Sequence, residues 1–351
     1  MTRACLGLIA VCACGLPAPA TPSAPERIAI VASERGPRGI RLVAIDEHGD
    51  RRFELVAPAT TIVQDKNPAV SPDGRWLVFA STRERTDGTS LWIAPLQLSA
   101  TPRRLTAEPA AIDSHPVWAR DGRSIVFAST RDGGDFDLWQ LAIDPDGKPG
   151  AATTLTTAPG NEVTPSLASD GTIIYASVTQ IGERALDSHL EERAPDGTIR
   201  ALTSGPADSS PAFSPDGATI VFARPALHNG TAHSELWRMA RNSELVTQLV
   251  DLPLTDESGP VWSPDGRFVF ATSALRGADG RTVLFSSVVH VDLREPRPRV
   301  RILGDRAGPV ARLTPAIPTG QLDVAALHAD PEYLPELARI MAAKIAEQTE
   351  R

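Results

Sequence analysis

The apolar positions of the chain fall into short runs that are separated by turn-forming residues. Most of these runs consist of β-branched and aromatic residues, which favour buried strands. Examples are Leu77–Phe79, Ile125–Phe127 and Ile220–Phe222. Because helical periodicity is missing around these runs, the pattern predicts an all-β chain of many short strands.

The runs belong to a repeat of roughly 50 residues. Each unit starts with a proline, passes through an Asp-Gly turn and enters an apolar strand, as in the stretch Pro68–Phe79. Proline and aspartate suit β-turn positions, and glycine accepts a left-handed backbone there. A second hairpin follows, so that a unit holds about four strands, which is the make-up of a propeller blade. The five leading prolines are Pro68, Pro116, Pro165, Pro211 and Pro260.

Both ends of the repeat region resemble parts of one further unit. The segment Arg27–Val56 lacks a first strand, and the segment after Pro309 resembles a lone first strand. Joined, they would complete a sixth blade, and strands from both termini would close the ring without an exposed edge. We therefore predict a six-bladed β-propeller, with seven blades as the alternative.

The C-terminal end has a different pattern. After Asp330-Pro331, apolar residues recur at helical spacing from Leu334 to Ile345, which predicts a short helix. We expect this helix to pack against the rim of the ring. A docking helix for a partner is the alternative.

The N-terminus has the pattern of an export signal. Arg3 precedes the apolar stretch Ala4–Ala13, which is too short to span a bilayer as a helix. The residues before Cys14 resemble a bacterial lipobox, which implies cleavage before this cysteine and lipidation of its thiol. Cleavage after Ala20 would instead release a soluble periplasmic protein. An ordinary apolar N-terminus is the third interpretation.

These patterns predict four segments. They are a signal peptide at residues 1–13, the lipidated Cys14 with a Pro/Ala-rich tether at 14–26, the propeller at 27–327 and the helix at 328–351. The predicted location is the cell envelope, as an outer-membrane lipoprotein that faces the periplasm or is exported.

Composition narrows the classes of partner. The formal net charge of −8, from 35 basic and 43 acidic residues, argues against nucleic acid or an anionic membrane surface. We expect membrane contact only through the lipid anchor. All three cysteines lie within the first fourteen residues, which excludes a disulfide framework or a cysteine nucleophile from the repeats. We expect a monomer without a cofactor.

The repeats resemble the Pro-Asp-Gly propeller repeat of the TolB-like family over roughly residues 27–327. The resemblance rests on Ser71–Gly74, Ser214–Gly217, Ser263–Gly266 and Ser129–Trp139. It implies a ring that binds an envelope protein or peptide, with peptidoglycan-associated lipoproteins among the partners. We expect neither the N-terminal α/β domain of TolB itself nor the hydrolase domain that follows similar rings in prolyl oligopeptidases.

A carboxylate stands three residues before each leading proline. These residues are Asp65, Asp113, Glu162, Asp208 and Glu257, and the sixth unit has Arg306 instead. Around a common axis, they would form an acidic ring at one channel mouth and attract a cation or a basic peptide. The alternative is a local role, in which each carboxylate accepts backbone N–H bonds and holds its loop.

Two further features could carry chemistry. His115, beside Asp113, is a candidate base or ligand at the channel mouth, or else a lone loop histidine. Asp132, Asp135 and Asp137 could bind calcium, although their spacing lacks the terminal glutamate of a calcium loop.

The sequence contains no nucleophile elbow, zinc-protease motif or phosphate-binding loop. We therefore predict a non-enzymatic lipoprotein whose ring binds a protein, a peptide or a glycan. A hydrolase or lyase acting at the channel mouth is the second hypothesis. A metal- or ligand-sensing domain is the third.

Overall fold

The computed structural model describes residues 28–36, 38–46, 52–85, 87–181, 185–228, 231–250, 252, 255–277, 283–294, 298–303 and 314–315. The predicted signal peptide, the lipidated Cys14, the tether, Arg306 and the C-terminal helix lie outside the described residues.

The described chain consists of 24 strands, without a helix among its described residues. The first twelve strands are β1 Ile28–Gly36, β2 Gly39–Asp46, β3 Arg52–Glu54, β4 Val63–Val70, β5 Trp76–Ser81, β6 Ser90–Pro95, β7 Arg103–Arg104, β8 Asp113–Trp118, β9 Ser124–Ser129, β10 Asp137–Ile143, β11 Pro149–Thr154 and β12 Asn161–Leu167. The others are β13 Ile173–Ile181, β14 Ala185–Arg193, β15 Ile199–Ala201, β16 Ser209–Phe213, β17 Thr219–His228, β18 Thr231–Ala240, β19 Val246–Gln248, β20 Thr255–Trp262, β21 Phe268–Arg276, β22 Val283–Asp292, β23 Arg299–Leu303 and β24 Thr314–Pro315. The predicted apolar runs lie in second strands such as β5, β9 and β17, so the all-β prediction is confirmed.

The strands form five hydrogen-bonded sheets. Four of them have four consecutive antiparallel strands each, namely β8–β11, β12–β15, β16–β19 and β20–β23. The fifth has eight strands in the order β24-β1-β2-β4-β5-β6-β7, with β3 paired to β2. The structure thus differs from the prediction of six separate blades, because two groups of four strands share one sheet.

The eight-stranded sheet is joined by a short parallel pairing between β2 and β4. Gly39 lies opposite Val63, and Ile40 lies opposite Gln64. All other described strand pairs are antiparallel, including β1 with β24. The tip of one hairpin therefore joins the start of the next group of strands.

A hydrogen-bonded turn explains the repeated Ser-Pro-Asp-Gly sequence. Asp73 accepts hydrogen bonds from the Ser71 hydroxyl at 2.6 Å and from the Arg75 amide at 3.1 Å. These bonds, with that from Ser71 the larger cause, lower the pKa of Asp73 to about 2. Gly74 follows with a φ of 69°, which glycine adopts without strain. The same hydroxyl–carboxylate bond joins Ser214 to Asp216 and Ser263 to Asp265.

The core consists of interfaces between neighbouring groups of four strands. Six apolar clusters can be distinguished among the described residues, and each takes side chains from two groups. One cluster packs Ile30 and Val43 of the first group against Phe270 and Val288 of the last. First strands are also linked directly, since the Trp118 indole donates to the Ala69 carbonyl at 3.1 Å.

Candidate functional site: a central channel

The first strand of each full repeat carries a β-bulge next to its leading proline. In β4 the register shifts between Lys66 and Ala69, and corresponding shifts occur in β8, β12, β16 and β20. A bulge removes one residue from the ladder and re-aims its side chain. The five bulge residues are Asn67, His115, Thr164, Ser210 and Gly259.

All five bulge residues adopt a left-handed backbone, with φ between 48° and 60°. Only Gly259 does so without a steric cost from Cβ, and the cost is greatest for the β-branched Thr164. Such conformations persist where the surrounding structure imposes them, and they cluster at functional sites. The repeat therefore holds four non-glycine residues in a strained conformation at equivalent positions.

The bulge residues line a channel with a volume of about 1000 Å³. The five leading prolines also line this channel, which extends to the Asp-Gly turn at Ser71–Gly74. Asn67, His115, Thr164 and Ser210 thus bring amide, imidazole and hydroxyl groups from four repeats to one cavity.

The predicted acidic ring does not line this channel. Each of its residues has an exposed fraction of 2% or less, and none is among the channel-lining residues. The members are Asp65, Asp113, Glu162, Asp208 and Glu257. The prediction of an exposed acidic mouth was therefore wrong, because the start of each first strand buries its carboxyl group within the ring. The residues hold their strands locally, although their partners are mainly side chains rather than backbone amides.

The three aspartates of this set are paired with arginines. Arg83 binds Asp65 through two guanidinium nitrogens, at 3.1 and 2.7 Å, and Arg131 binds Asp113 at 3.0 Å. Arg224 binds both oxygens of Asp208, at 2.6 and 2.8 Å.

The two glutamates of the set face another carboxyl group instead. Both oxygens of Glu162 are buried, and the Asp137 carboxyl group lies beside them. Burial, with the charges of Asp137 and Glu191 added, raises the pKa of Glu162 to about 8. Burial likewise raises the pKa of Glu257 well above its usual range, and the charge of Glu235 adds to this effect. Burial therefore favours the protonated, neutral form of both glutamates. Glu257 also accepts hydrogen bonds from the Thr255 and Ser273 hydroxyls, at 2.6 and 2.9 Å.

Among the predicted site residues that the structure describes, His115 alone lines the channel. Its Nδ1 lies 3.0 Å from the Ser114 hydroxyl. Asp113 receives hydrogen bonds from Thr106, Ser129 and Arg131. Because these donors already occupy the carboxylate, the geometry does not favour Asp113 as the orienting partner of a catalytic histidine.

Two of the three aspartates of the predicted calcium loop, Asp135 and Asp137, have separate roles. Asp135 accepts a hydrogen bond from the Gly160 amide at 2.9 Å, which ties its loop to the next sheet. Asp137 is buried beside Glu162. Within the described ranges, no group of three or more His, Cys, Asp or Glu side chains is arranged to hold a metal ion.

Three basic residues of the channel were missed in the sequence analysis. Arg35, Lys66 and Arg120 line it, whereas Asp73 is the only acid among the described lining residues. Asp73 is itself paired with Arg75 at 2.7 Å. The sequence could have indicated Lys66 as a channel residue, because it directly precedes Asn67 at the start of the repeat.

Comparison with known proteins agrees with the repeated four-stranded groups around a channel. The model of the TolB beta propeller domain family matches residues 16–264. The chain belongs to the TolB β-propeller family. No curated protein sequence matches it.

Solved structures share this propeller fold at low sequence identity. The putative TolB from Agrobacterium tumefaciens is 19% identical with a TM-score of 0.56, and the match covers 84% of this chain and 91% of that one. TolB from Acinetobacter baumannii is 20% identical with a TM-score of 0.62, and the match covers 83% of this chain and 66% of that one. An oligogalacturonate lyase in complex with manganese is 13% identical with a TM-score of 0.50, and the match covers 79% and 74%. Because identity is so low, these likenesses establish the fold alone.

The described part of the propeller contains no helix that is long and apolar enough to cross a membrane.

Proposed function

We propose that this propeller is a non-enzymatic scaffold of the cell envelope that binds a segment of a partner protein, or a peptide, in its channel. The observation that carries the proposal is the set of strained bulge residues, which presents Asn67, His115, Thr164 and Ser210 to one cavity of about 1000 Å³. A strained backbone lowers the stability of the folded protein, and strained residues cluster at ligand-binding sites.

Blocking the channel tests this proposal. Thr164→Trp places a large side chain at the channel wall, whereas Ile199→Trp enlarges an exposed outer-strand residue as the matched control. A partner captured from the envelope fraction by the wild type should be lost with Thr164→Trp and retained with Ile199→Trp. Equal capture by both variants, each shown to be folded by circular dichroism, would refute channel binding.

A hydrolase or lyase reaction at the channel mouth is the second candidate, and the fold shared with the oligogalacturonate lyase favours it. His115 is the candidate general base because it lines the channel. Any turnover measured with polysaccharide or peptide substrates should be lost in His115→Ala. Turnover that is indifferent to this change would remove His115 from the mechanism.

Ion or ligand sensing is the third candidate, and it rests on the sequence alone, through the acidic loop that contains Asp132, Asp135 and Asp137. An ion that binds only the folded protein must raise its melting temperature. A thermal-shift screen with divalent cations tests ion sensing, and an unchanged melting temperature would exclude binding of these cations.

We further propose anchoring in the envelope through Cys14. The lipobox-like residues before this cysteine support lipidation, and Ala20 marks the alternative cleavage site. Mass spectrometry of the mature N-terminus distinguishes a diacylated cysteine from an unmodified residue after Ala20.

We also propose that the ring has six blades and is closed by strands from both termini. The eight-stranded sheet divides at the short pairing of β2 with β4 into two groups of four, which supports this count. The pairing of β24 with β1, and the cluster that joins Ile30 to Phe270, support closure. A variant that ends at residue 303 lacks β24 and should melt at a lower temperature. An unchanged melting temperature would contradict closure by this strand.

A further inference from the structure

We propose that a second cavity, between the sheet β16–β19 and the sheet β20–β23, binds a free α-amino acid with an apolar side chain. The cavity is separate from the channel, although Pro215 and Trp262 border both. This inference goes beyond the proposed channel-binding function and does not depend on it.

The cavity has an apolar wall and is bordered by two Asp-Gly turns. Its volume of about 340 Å³ suits a small molecule, since sites for such ligands start at about 300 Å³. The apolar wall belongs to a single core cluster, whose cavity-lining members are Val221, Leu249, Trp262 and Leu293. An apolar ligand group that contacts this wall would be removed from water.

Arg238 brings a guanidinium group without a partner to the cavity. It lies on β18, opposite Val221 of β17. The third-strand residues at the equivalent position of four other groups are Ile93, Gln140, Glu192 and Val291. Two of these are buried apolar residues, the Gln140 amide donates to the Ser124 hydroxyl at 3.0 Å, and Glu192 is paired with arginines. Arg238 is exposed instead, and its guanidinium forms no hydrogen bond or ion pair within the described part of the chain.

The Asp-Gly turn of the same repeat leaves one carboxylate oxygen available. Asp216 Oδ1 accepts hydrogen bonds from the Ser214 hydroxyl at 2.5 Å and from the Ala218 amide at 3.0 Å. These bonds, with that from Ser214 the larger cause and a smaller effect of the Arg120 charge, lower the pKa of Asp216. The group is therefore a carboxylate at neutral pH, and among the described residues its Oδ2 has no hydrogen-bond donor.

The available oxygen results from a departure of the fourth repeat from the others. In the first and fifth repeats, an arginine follows the glycine of the turn and approaches the second carboxylate oxygen. Arg75 binds Asp73 at 2.7 Å, and Arg267 lies 3.8 Å from Asp265. The fourth repeat has Ala218 at this position. Arg238 and Asp216 are thus two departures from the repeat that border the same cavity.

A zwitterion with an apolar group matches these three features. Arg238 can hold a carboxylate through two parallel hydrogen bonds, and Asp216 can accept from an ammonium group. The two residues do not pair with each other, so that a ligand can lie between them. A simple acid would be repelled by Asp216, and a simple amine by Arg238. An α-amino acid with an apolar side chain carries both charges and the group that contacts the wall.

Isothermal titration calorimetry with the full chain tests the inference. The ligands are L-phenylalanine and L-leucine, together with 3-phenylpropanoate, which lacks the ammonium group, and phenethylamine, which lacks the carboxylate. We expect saturable binding of at least one amino acid. The two analogues should bind about tenfold more weakly or less, because each leaves one charged group of the cavity without its partner.

Three variants locate the binding site. Arg238→Gln should weaken amino-acid binding about tenfold. Ala218→Arg supplies the arginine that other turns have, and it should weaken binding to a similar extent without removing any group from the cavity. Arg123→Gln is the matched control, because it changes an exposed arginine at the corresponding turn position of the second repeat, outside the cavity lining. It should bind as the wild type does.

Several results would overturn the inference. These are no saturable binding of either amino acid, equal binding of the two analogues, or unchanged affinity in Arg238→Gln or Ala218→Arg. Loss of amino-acid binding in Thr164→Trp would place the ligand in the channel and also contradict the inference. Failure of the proposed channel function would show separately, as unchanged partner capture by Thr164→Trp.

Discussion

Five equivalent carboxyl groups in this protein are neutralised in two different ways. Asp65, Asp113 and Asp208 bind arginines, whereas Glu162 and Glu257 face a second carboxyl group from the preceding sheet. All five carboxyl groups are buried because they occupy equivalent positions in the repeat. The neighbouring side chain determines whether an arginine pairs with the carboxylate or burial favours the protonated form.

Replacing Glu162 should remove a pH dependence of stability. The pKa of Glu162 is about 8 in the folded state, compared with an ordinary 4.5 in the unfolded chain. Because the folded protein holds this proton more tightly, protonation of Glu162 adds to the free energy of unfolding. This stabilisation is fully present below pH 4.5 and is lost as the pH rises towards 8. In Glu162→Gln, the fall in unfolding free energy between pH 5.5 and 8.5 should be smaller by about 1–3 kcal/mol. Urea denaturation at the two pH values measures it.

Glu84→Gln is the matched control, because the Glu84 side chain is 61% exposed. It should follow the wild-type pH dependence. A Glu162→Gln variant that also follows the wild-type curve would show that Glu162 is ionised when folded.

Removing Arg224 should destabilise the protein strongly, because it leaves the carboxylate of Asp208 buried and unpaired. We expect Arg224→Ala to cost about 3 kcal/mol of unfolding free energy. Arg75→Ala breaks the exposed pair with Asp73 and should cost about 1 kcal/mol or less. Chemical denaturation compares the two variants, and equal losses would contradict the argument from burial.

The sequence allowed the positions of these carboxyl groups to be predicted, but not their surroundings. Spacing from the leading prolines identified all five residues as equivalent. Their burial depends on a partner one strand away, such as Arg83 for Asp65. The recurrence of Ser-x-Arg at Ser81–Arg83 and Ser129–Arg131 was a signal for this pairing.

At the scale of elements, the hairpin tip at Gly39 connects two groups of strands. Its φ is 104°, and a Cβ there would lie 1.9 Å from the Val63 carbonyl oxygen. Gly39→Ala should therefore break the β2–β4 pairing and cost roughly 2 kcal/mol or more in unfolding free energy. Gly74→Ala is the control, because its φ is 69° with open space around the added Cβ. A loss no larger than that of Gly74→Ala would show that the pairing contributes little.

The strand pattern was predictable and the joining of two groups was not. Short β-branched runs at a fixed repeat identify second strands such as β5 and β9. The shared sheet depends instead on the length of the β1–β2 hairpin and on the close approach of the Gly39 backbone to β4. Neither feature produces a repeating pattern in the sequence.

At the scale of the whole molecule, the repeats share their strands, turns and bulges but differ in the side chains that line the channel. The buried strands, turns and bulges recur, whereas the bulge residues change from Asn67 and His115 to Ser210 and Gly259. A repeated fold thus makes an asymmetric cavity, because different side chains line it in different repeats. If a segment binds in the channel as proposed, we expect this asymmetry to favour one direction of binding.

The most direct test of channel binding is site-specific photo-crosslinking. A photoreactive amino acid at position 164 lines the channel, and one at position 199 lies on an exposed outer strand. We predict a discrete crosslinked partner from position 164 and none from position 199. Crosslinks from position 199 alone would place the partner on the outer rim and contradict the account.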